Sequence, residues 1–147
     1  MRFKILLILL TGFLIICKKD FRVIEATMQE WTGGRQKTGR GVNYKVTIIA
    51  ETTSNKLELH ELWINKKLCV HRLFNFANNE QGNTFNKNDT LILTGTVIIN
   101  EYIVIGDIKK EPPFSFNEEI VIGYSLRNRM MYRPVSDIKI LKPLFYR

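Results

Sequence analysis

Along residues 42–51 the side chains alternate. Val42, Tyr44, Val46, Ile48 and Ala50 fall on one side of an extended chain, and Asn43, Lys45, Thr47, Ile49 and Glu51 on the other. A period of two is the mark of a strand with one buried face. No stretch of residues 21–147 carries the i, i+3, i+4, i+7 apolar spacing of an amphipathic helix. Further apolar runs at 21–31, 57–64, 68–74, 91–99, 102–108, 120–126, 130–133 and 138–141 read as strands. The alternation in 57–64 slips near Glu61, and Asn65-Lys66-Lys67 reads as a hairpin turn into 68–74. Arg127-Asn128-Arg129 is a second short turn, and the segments around Ser54-Asn55, Asn78-Asn79 and Pro112-Pro113 punctuate loops. About eight or nine short strands at this spacing predict a single antiparallel β-sandwich over residues 21–147, immunoglobulin-like in style. An up-and-down barrel around a ligand cavity is the alternative.

Composition sets the remaining bounds. Hydrophobic residues make up 45% of the chain and charged ones 24%, which excludes long disorder, collagen and coiled coil. With two cysteines, Cys17 and Cys69, a disulfide scaffold is also excluded. A chain of 147 residues without a visible internal repeat is one domain's worth of protein.

Residues 1–16 stand apart from that domain. Arg2 and Lys4 precede an apolar run over residues 5–16, broken only by Thr11 and Gly12. As a helix that run spans roughly 18 Å, short of the roughly 30 Å hydrocarbon core of a bilayer. A basic start followed by a short apolar stretch is the pattern of a secretory signal peptide. The run ends in Leu14-Ile15-Ile16-Cys17, followed by the polar Lys18-Lys19-Asp20. This junction resembles the lipobox of bacterial lipoproteins, although Ile16 stands where that class usually has Gly, Ala or Ser. The resemblance implies that Cys17 is the lipidated first residue of the mature chain. It would place the protein in the bacterial cell envelope, membrane-anchored and facing the periplasm or the cell surface. It reaches no further than the N-terminus. Ordinary secretion and an uncleaved anchor are the competing readings. On this view 1–16 is signal peptide or anchor, 17–20 a tether, and Cys69 a buried, inert thiol.

Positive charge supplies the candidate binding residues. Lys and Arg number 22 against 14 Asp and Glu, a formal net charge of +8. The loop Thr32-Gly33-Gly34-Arg35-Gln36-Lys37-Thr38-Gly39-Arg40-Gly41 holds four of the nine glycines and three cations: Arg35, Lys37 and Arg40. Gly34 and Gly39 reproduce the outer spacing of a phosphate-binding P-loop, but Arg40-Gly41 and a strand follow where Lys, Ser/Thr and a helix are required. A basic backbone nest for an external anion, or a plain flexible loop, remains. From Val121 onward six cations, among them Arg127, Arg129 and Arg133, face a single acid, Asp137. Such charge ordinarily suggests nucleic acid. Export argues instead for anionic lipid, acidic glycan or an acidic partner protein.

Chemistry has less to stand on. His60 and His71 are the only histidines and are expected on neighbouring strands of a hairpin, where a one-residue slip decides whether they share a face. No zinc-binding or C-x-x-C spacing accompanies them. Gly123-Tyr124-Ser125-Leu126-Arg127 begins like a nucleophile elbow but lacks the second glycine. Trp31 and Trp63 offer either a sugar-stacking platform, with Tyr44 or Tyr132, or core. Asn88-Asp89-Thr90 matches a glycosylation acceptor and points to an exposed loop. The expectation is a non-catalytic binding or accessory module of the envelope, without metal or cofactor. A structural subunit and, less favoured, a small enzyme using His60 or His71 with Glu58, Glu61 or Tyr44 are the alternatives.

Overall fold

The computed structural model describes residues 20–34, 39–99, 107–108 and 111–146. The leader, Cys17, Arg35 and Lys37 lie outside the described residues, as does most of the strand expected at 102–108. The described residues form strands β1 (Phe21–Thr32), β2 (Arg40–Ala50), β3 (Leu57–Ile64), β4 (Lys67–Cys69), β5 (His71–Asn75) and β6 (Glu80–Gln81). They continue with β7 (Thr90–Ile99), β8 (Asp107–Ile108), β9 (Ile120–Leu126), β10 (Arg129–Val135), β11 (Ile138–Ile140) and β12 (Leu144–Phe145). No helix occurs among them, and so none that is long and apolar enough to cross a membrane.

Two sheets pack face to face. The first runs β11-β1-β2-β7-β5-β6, with β12 also on β1, and the second β10-β9-β3-β4-β8. Without the short outer strands, the orders β1-β2-β7-β5 and β10-β9-β3-β4 are the A-B-E-D and G-F-C-C′ orders of an immunoglobulin-type sandwich. The barrel alternative does not form. Two pairings depart from a purely antiparallel arrangement: β11 and β12 both run parallel to β1, with Ala26 opposite Ile138 and Trp31 opposite Leu144. After β10 the chain crosses from the second sheet to the first, and a strand arriving by crossover meets β1 in the same direction.

The alternation read in 42–51 is the core face. Val46, Ile48 and Ala50 are fully buried between the sheets with Leu57, Leu59, Leu62, Leu91, Leu93, Ile120 and Ile122. Each such Leu or Ile contributes roughly 1.5–3 kcal/mol on leaving water. Gly95 sets how closely the sheets approach. A Cβ there would stand 2.8 Å from Leu62 Cδ2 and 3.3 Å from Ile64 Cδ1, so these two side chains occupy the space a larger residue would fill.

Three local features depart from a simple reading. The slip near Glu61 is a register shift between Leu59 and Glu61 in the pairing of β3 with β9. This bulge returns Leu62 and Ile64 to the core while leaving His60 and Glu61 outward. The single run expected at 68–74 is two strands in different sheets: β4 pairs with β3, β5 pairs with β7, and Val70 between them is 63% exposed. His60 and His71 are therefore not hairpin neighbours. His60 sits on the second sheet and His71 on the first. Finally, the second half of β3 and the first half of β9 are buried on both faces. Trp63, Leu68, Phe116 and Val121 form a second apolar cluster on the outer side, covered by the segment that follows Pro113.

Both tight hairpins turn through two residues in the left-handed region. Asn65 and Lys66 have φ of 49° and 66°, and Arg127 and Asn128 have the same values. Positive φ at both central residues is the primed turn that matches the twist of paired strands.

Candidate functional site

The outward face of β3 and β9 holds a group of polar side chains in contact. Ser125 stands opposite Glu58, and the bulge brings His60 over it, so that His60 Nε2 and Ser125 Oγ are 2.8 Å apart. Glu58 Oε2 lies 3.6 Å from the same imidazole nitrogen. A serine nucleophile activated through histidine needs the base nitrogen on the hydroxyl and the carboxylate on the opposite ring nitrogen. Here both partners share Nε2 on an open sheet face. Glu61, beside them, is 9% exposed and accepts a hydrogen bond from Trp63 Nε1 at 2.9 Å. Its carboxylate also fills the space over Gly123, where a Cβ would meet Glu61 Cβ at 2.8 Å. Ser125, met in the sequence as a fragment of a nucleophile elbow, lies in the middle of a paired strand and not on a turn into a helix.

The other candidate groups resolve into core features. His71 faces inward, and burial holds its imidazole below the ordinary value, only partly offset by a backbone hydrogen bond at Cys69. Tyr44 is 4% exposed, and its hydroxyl donates to Glu119 Oε1 at 2.9 Å. Burial and then that carboxylate push the phenol well above its ordinary value. The Cys69 thiol is buried, at 2% exposure. Trp63 is fully buried, but in the outer cluster and not between the sheets. Trp31 is half-buried over Gly41, where a Cβ would stand 2.7 Å from its ring, and it meets Tyr146 edge to face at 6.3 Å. Tyr44 points into the core and Tyr132 packs on the other sheet, so neither joins Trp31 in a platform. No group of three or more His, Cys, Asp or Glu residues is placed to hold a metal ion among the described residues.

The basic residues divide between the two ends of the sandwich. Arg40 opens β2 opposite Thr32, and Gly33 N–H donates to the Gly39 carbonyl at 2.9 Å, closing the neck of the loop that carries Arg35 and Lys37 in sequence. Arg127 and Arg129 lie at the other end, where Arg127 N–H donates to the Lys56 carbonyl at 2.8 Å. Arg133 belongs to neither group. Its guanidinium sits 4.6 Å over the Phe21 ring and donates to the Phe21 carbonyl, bridging β10 of one sheet to β1 of the other. Beside it a cleft of about 250 Å³ runs between residues 21–26 and 133–137.

One polar network gave no warning in the sequence. Asn75 is completely buried and uses both ends of its amide. Nδ2 donates to Asp89 Oδ2 at 3.0 Å and to the Thr84 carbonyl at 3.2 Å, while Oδ1 accepts Ala77 N–H at 3.0 Å. Asp89 Oδ2 also accepts Asn86 N–H at 2.8 Å, and Phe85 plugs the loop into the core at 2% exposure. The only sequence signal is an Asn and an Asp at the two ends of a loop rich in both residues. Compared with models of protein families, with curated proteins and with solved structures, the chain matches none of them.

Proposed function

We propose that this chain is a cell-envelope lipoprotein. Residues 1–16 direct export, Cys17 carries the lipid, and the sandwich is a non-catalytic binding or accessory module that presents loops to an envelope protein or an acidic glycan. One observation carries the reading: the tether and the basic glycine-rich loop stand at opposite ends of β1. Asp20 immediately precedes β1, and Gly33 immediately follows it. Twelve residues of strand span about 36 Å. A domain held at Asp20 therefore carries Arg40, and the neck of the loop that holds Arg35 and Lys37 in sequence, at the far end from its anchor. A further observation favours binding over catalysis: the carboxylate and the serine of the Glu58–His60–Ser125 group share one imidazole nitrogen.

The alternative of a structural subunit draws on exposed apolar side chains at the sheet edge, where Ile140 is 72% and Phe145 76% exposed. It is the less favoured. Those edge strands are two or three residues long, and the seven-residue edge strand β10 carries Pro134, which has no N–H to offer a neighbour.

The test is the intact mass and membrane partitioning of the expressed protein, wild type beside Cys17→Ser, combined with crosslinking in living cells. A mass starting at Cys17 plus acyl chains, lost in Cys17→Ser, is expected. So is a crosslinked envelope partner that disappears when Arg35, Lys37 and Arg40 are replaced by Ser. A soluble, trimmed and unlipidated chain would overturn the anchor. Crosslinks indifferent to the three cations would overturn the loop as the contact.

A further inference from the structure

The topology assigns the two basic groups to two different surfaces, and we infer that the end of the sandwich carrying Asp20 docks directly on an anionic lipid bilayer. The inference rests on the anchored reading above. Three residue steps separate Cys17 from Asp20, and a fully extended chain covers at most about 11 Å in that distance. With residue 17 at the membrane surface, Asp20 stays within about 11 Å of it.

The hydrogen bonds show what surrounds it. Glu51 N–H donates to the Asp20 carbonyl at 3.0 Å, Ala50 N–H to the Asp89 carbonyl at 3.0 Å, and Phe76 N–H to the Thr90 carbonyl at 2.9 Å. Ser54 N–H donates to the Phe85 carbonyl at 3.1 Å, and Arg127 N–H to Lys56. These bonds gather the loops 51–56, 76–89 and 127–128 around the start of β1. The acids nearest Asp20 are engaged. Asp20 accepts from the Tyr124 hydroxyl at 3.1 Å, Glu51 lies 3.5 Å from Arg22, and Asp89 serves Asn75 and Asn86. Lys56, Lys87, Arg127 and Arg129 are exposed, as are the acids Glu80, within the loop 76–89, and Glu58, beside it on β3. Among them Phe76 is 67% exposed. An aromatic ring exposed at the same end of the sandwich as these cations suits the boundary between anionic headgroups and acyl chains. Arg127 thereby leaves the set of residues that meet an envelope partner, and Arg35, Lys37 and Arg40 at the far end remain in it.

The experiment uses the full chain, purified from membranes, with a photocrosslinking amino acid at position 76 or, separately, at position 145 on the opposite end. Each protein is reconstituted into vesicles of phosphatidylethanolamine and phosphatidylglycerol or of phosphatidylcholine alone. Flotation and lipid adducts are then scored after illumination. The expected result is flotation of both proteins, with adducts at 76 at least tenfold above those at 145, and fewer on neutral vesicles. Replacing Lys56, Lys87 and Arg127 by Glu is expected to lower the yield at 76 by about fivefold per residue, from about 1 kcal/mol per cation at an anionic surface. The neutral vesicles ask the same question without altering the protein. Flotation without preferential adducts at 76, or with equal yields on both lipids, would overturn the docking and leave the anchor standing. Absence of flotation would overturn the anchor, and the docking with it.

Discussion

Asn75→Ala should lower stability by about 3 kcal/mol. The amide is completely buried and makes three hydrogen bonds, one of them to a carboxylate. A bond to a charged acceptor contributes about 1.5–3 kcal/mol and each neutral one about 0.5–1.5 kcal/mol. The sum is an upper bound. Asp89 keeps its bond from Asn86 N–H, and the exposed backbone around Ala77 and Thr84 lets water replace part of the loss. Urea denaturation measures the outcome. With a slope of about 1.5–2 kcal/mol/M, the midpoint should fall by about 1.5–2 M at unchanged slope. Amide hydrogen exchange should accelerate first at Ala77 and Asn86, the donors that Asn75 and Asp89 hold. Asn75→Asp gives an internal control. As a carboxylate it faces Asp89 and is as harmful as Ala or worse. Protonated at low pH it can donate to Asp89 as the amide does, so its deficit relative to wild type should shrink from pH 8 to pH 4. A midpoint shift below about 0.5 M for Asn75→Ala would refute the reasoning, since the network would then be a consequence of the loop's fold and not its support.

Three further outcomes follow from the same structure. His71 has a folded-state pKa below its unfolded value, so the unfolded chain binds more protons in that interval; stability is full above about pH 6.5 and falls as the pH drops toward the folded value. Urea midpoints from pH 8 to pH 5 should show this slope, and His71→Phe should flatten it. Lys66→Gly and Asn128→Gly should each stabilise by about 0.5–1 kcal/mol, because both positions hold left-handed φ that only glycine adopts without cost; thermal melting measures the gain, and loss of stability in both would refute the primed turns. Arg133→Ala should cost about 1–2 kcal/mol through the lost bond to the Phe21 carbonyl and the lost stacking on the Phe21 ring. Chemical denaturation of Arg133→Lys beside it separates charge from shape: near-wild-type stability in the Lys variant would show that the planar guanidinium is not needed.

The sandwich was legible because β2 keeps one face buried along its whole length, and 57–64 and 120–126 are bounded by the turns that delimit β3 and β9. The slip at Glu61 was visible as broken alternation, and it is the bulge. The division of 68–74 was not legible. Val70 is apolar like its neighbours, and only its exposure between two sheets reveals the crossover. The parallel pairing of β11 and β12 was equally hidden, since strand direction depends on a crossover that periodicity does not record. Val121 and Ile122 read as a continuous apolar run because both faces of β9 are covered, one by the other sheet and one by Phe116. Among the cations, charge was legible and placement was not. Arg133 has the same composition signal as Arg127 and Arg129, yet its guanidinium joins the two sheets. The local sequence could not distinguish a residue at a turn tip from one facing a phenylalanine on a distant strand.

The clasp of β11 and β12 on β1 has a consequence in time. β11 and β12 come more than a hundred residues after β1, so β1 is made well before its outer neighbours. Until they arrive, β1 keeps an open edge along Ala26–Met28 and Trp31–Thr32. The first sheet thus stays incomplete at β1 until residues 138–145 are available to pair. Loss of the pairing by residues 138–145 would leave that edge open for another chain to occupy. Residues 138–145 thereby act as a latch on the first sheet, and β1 is sealed only once they are in place.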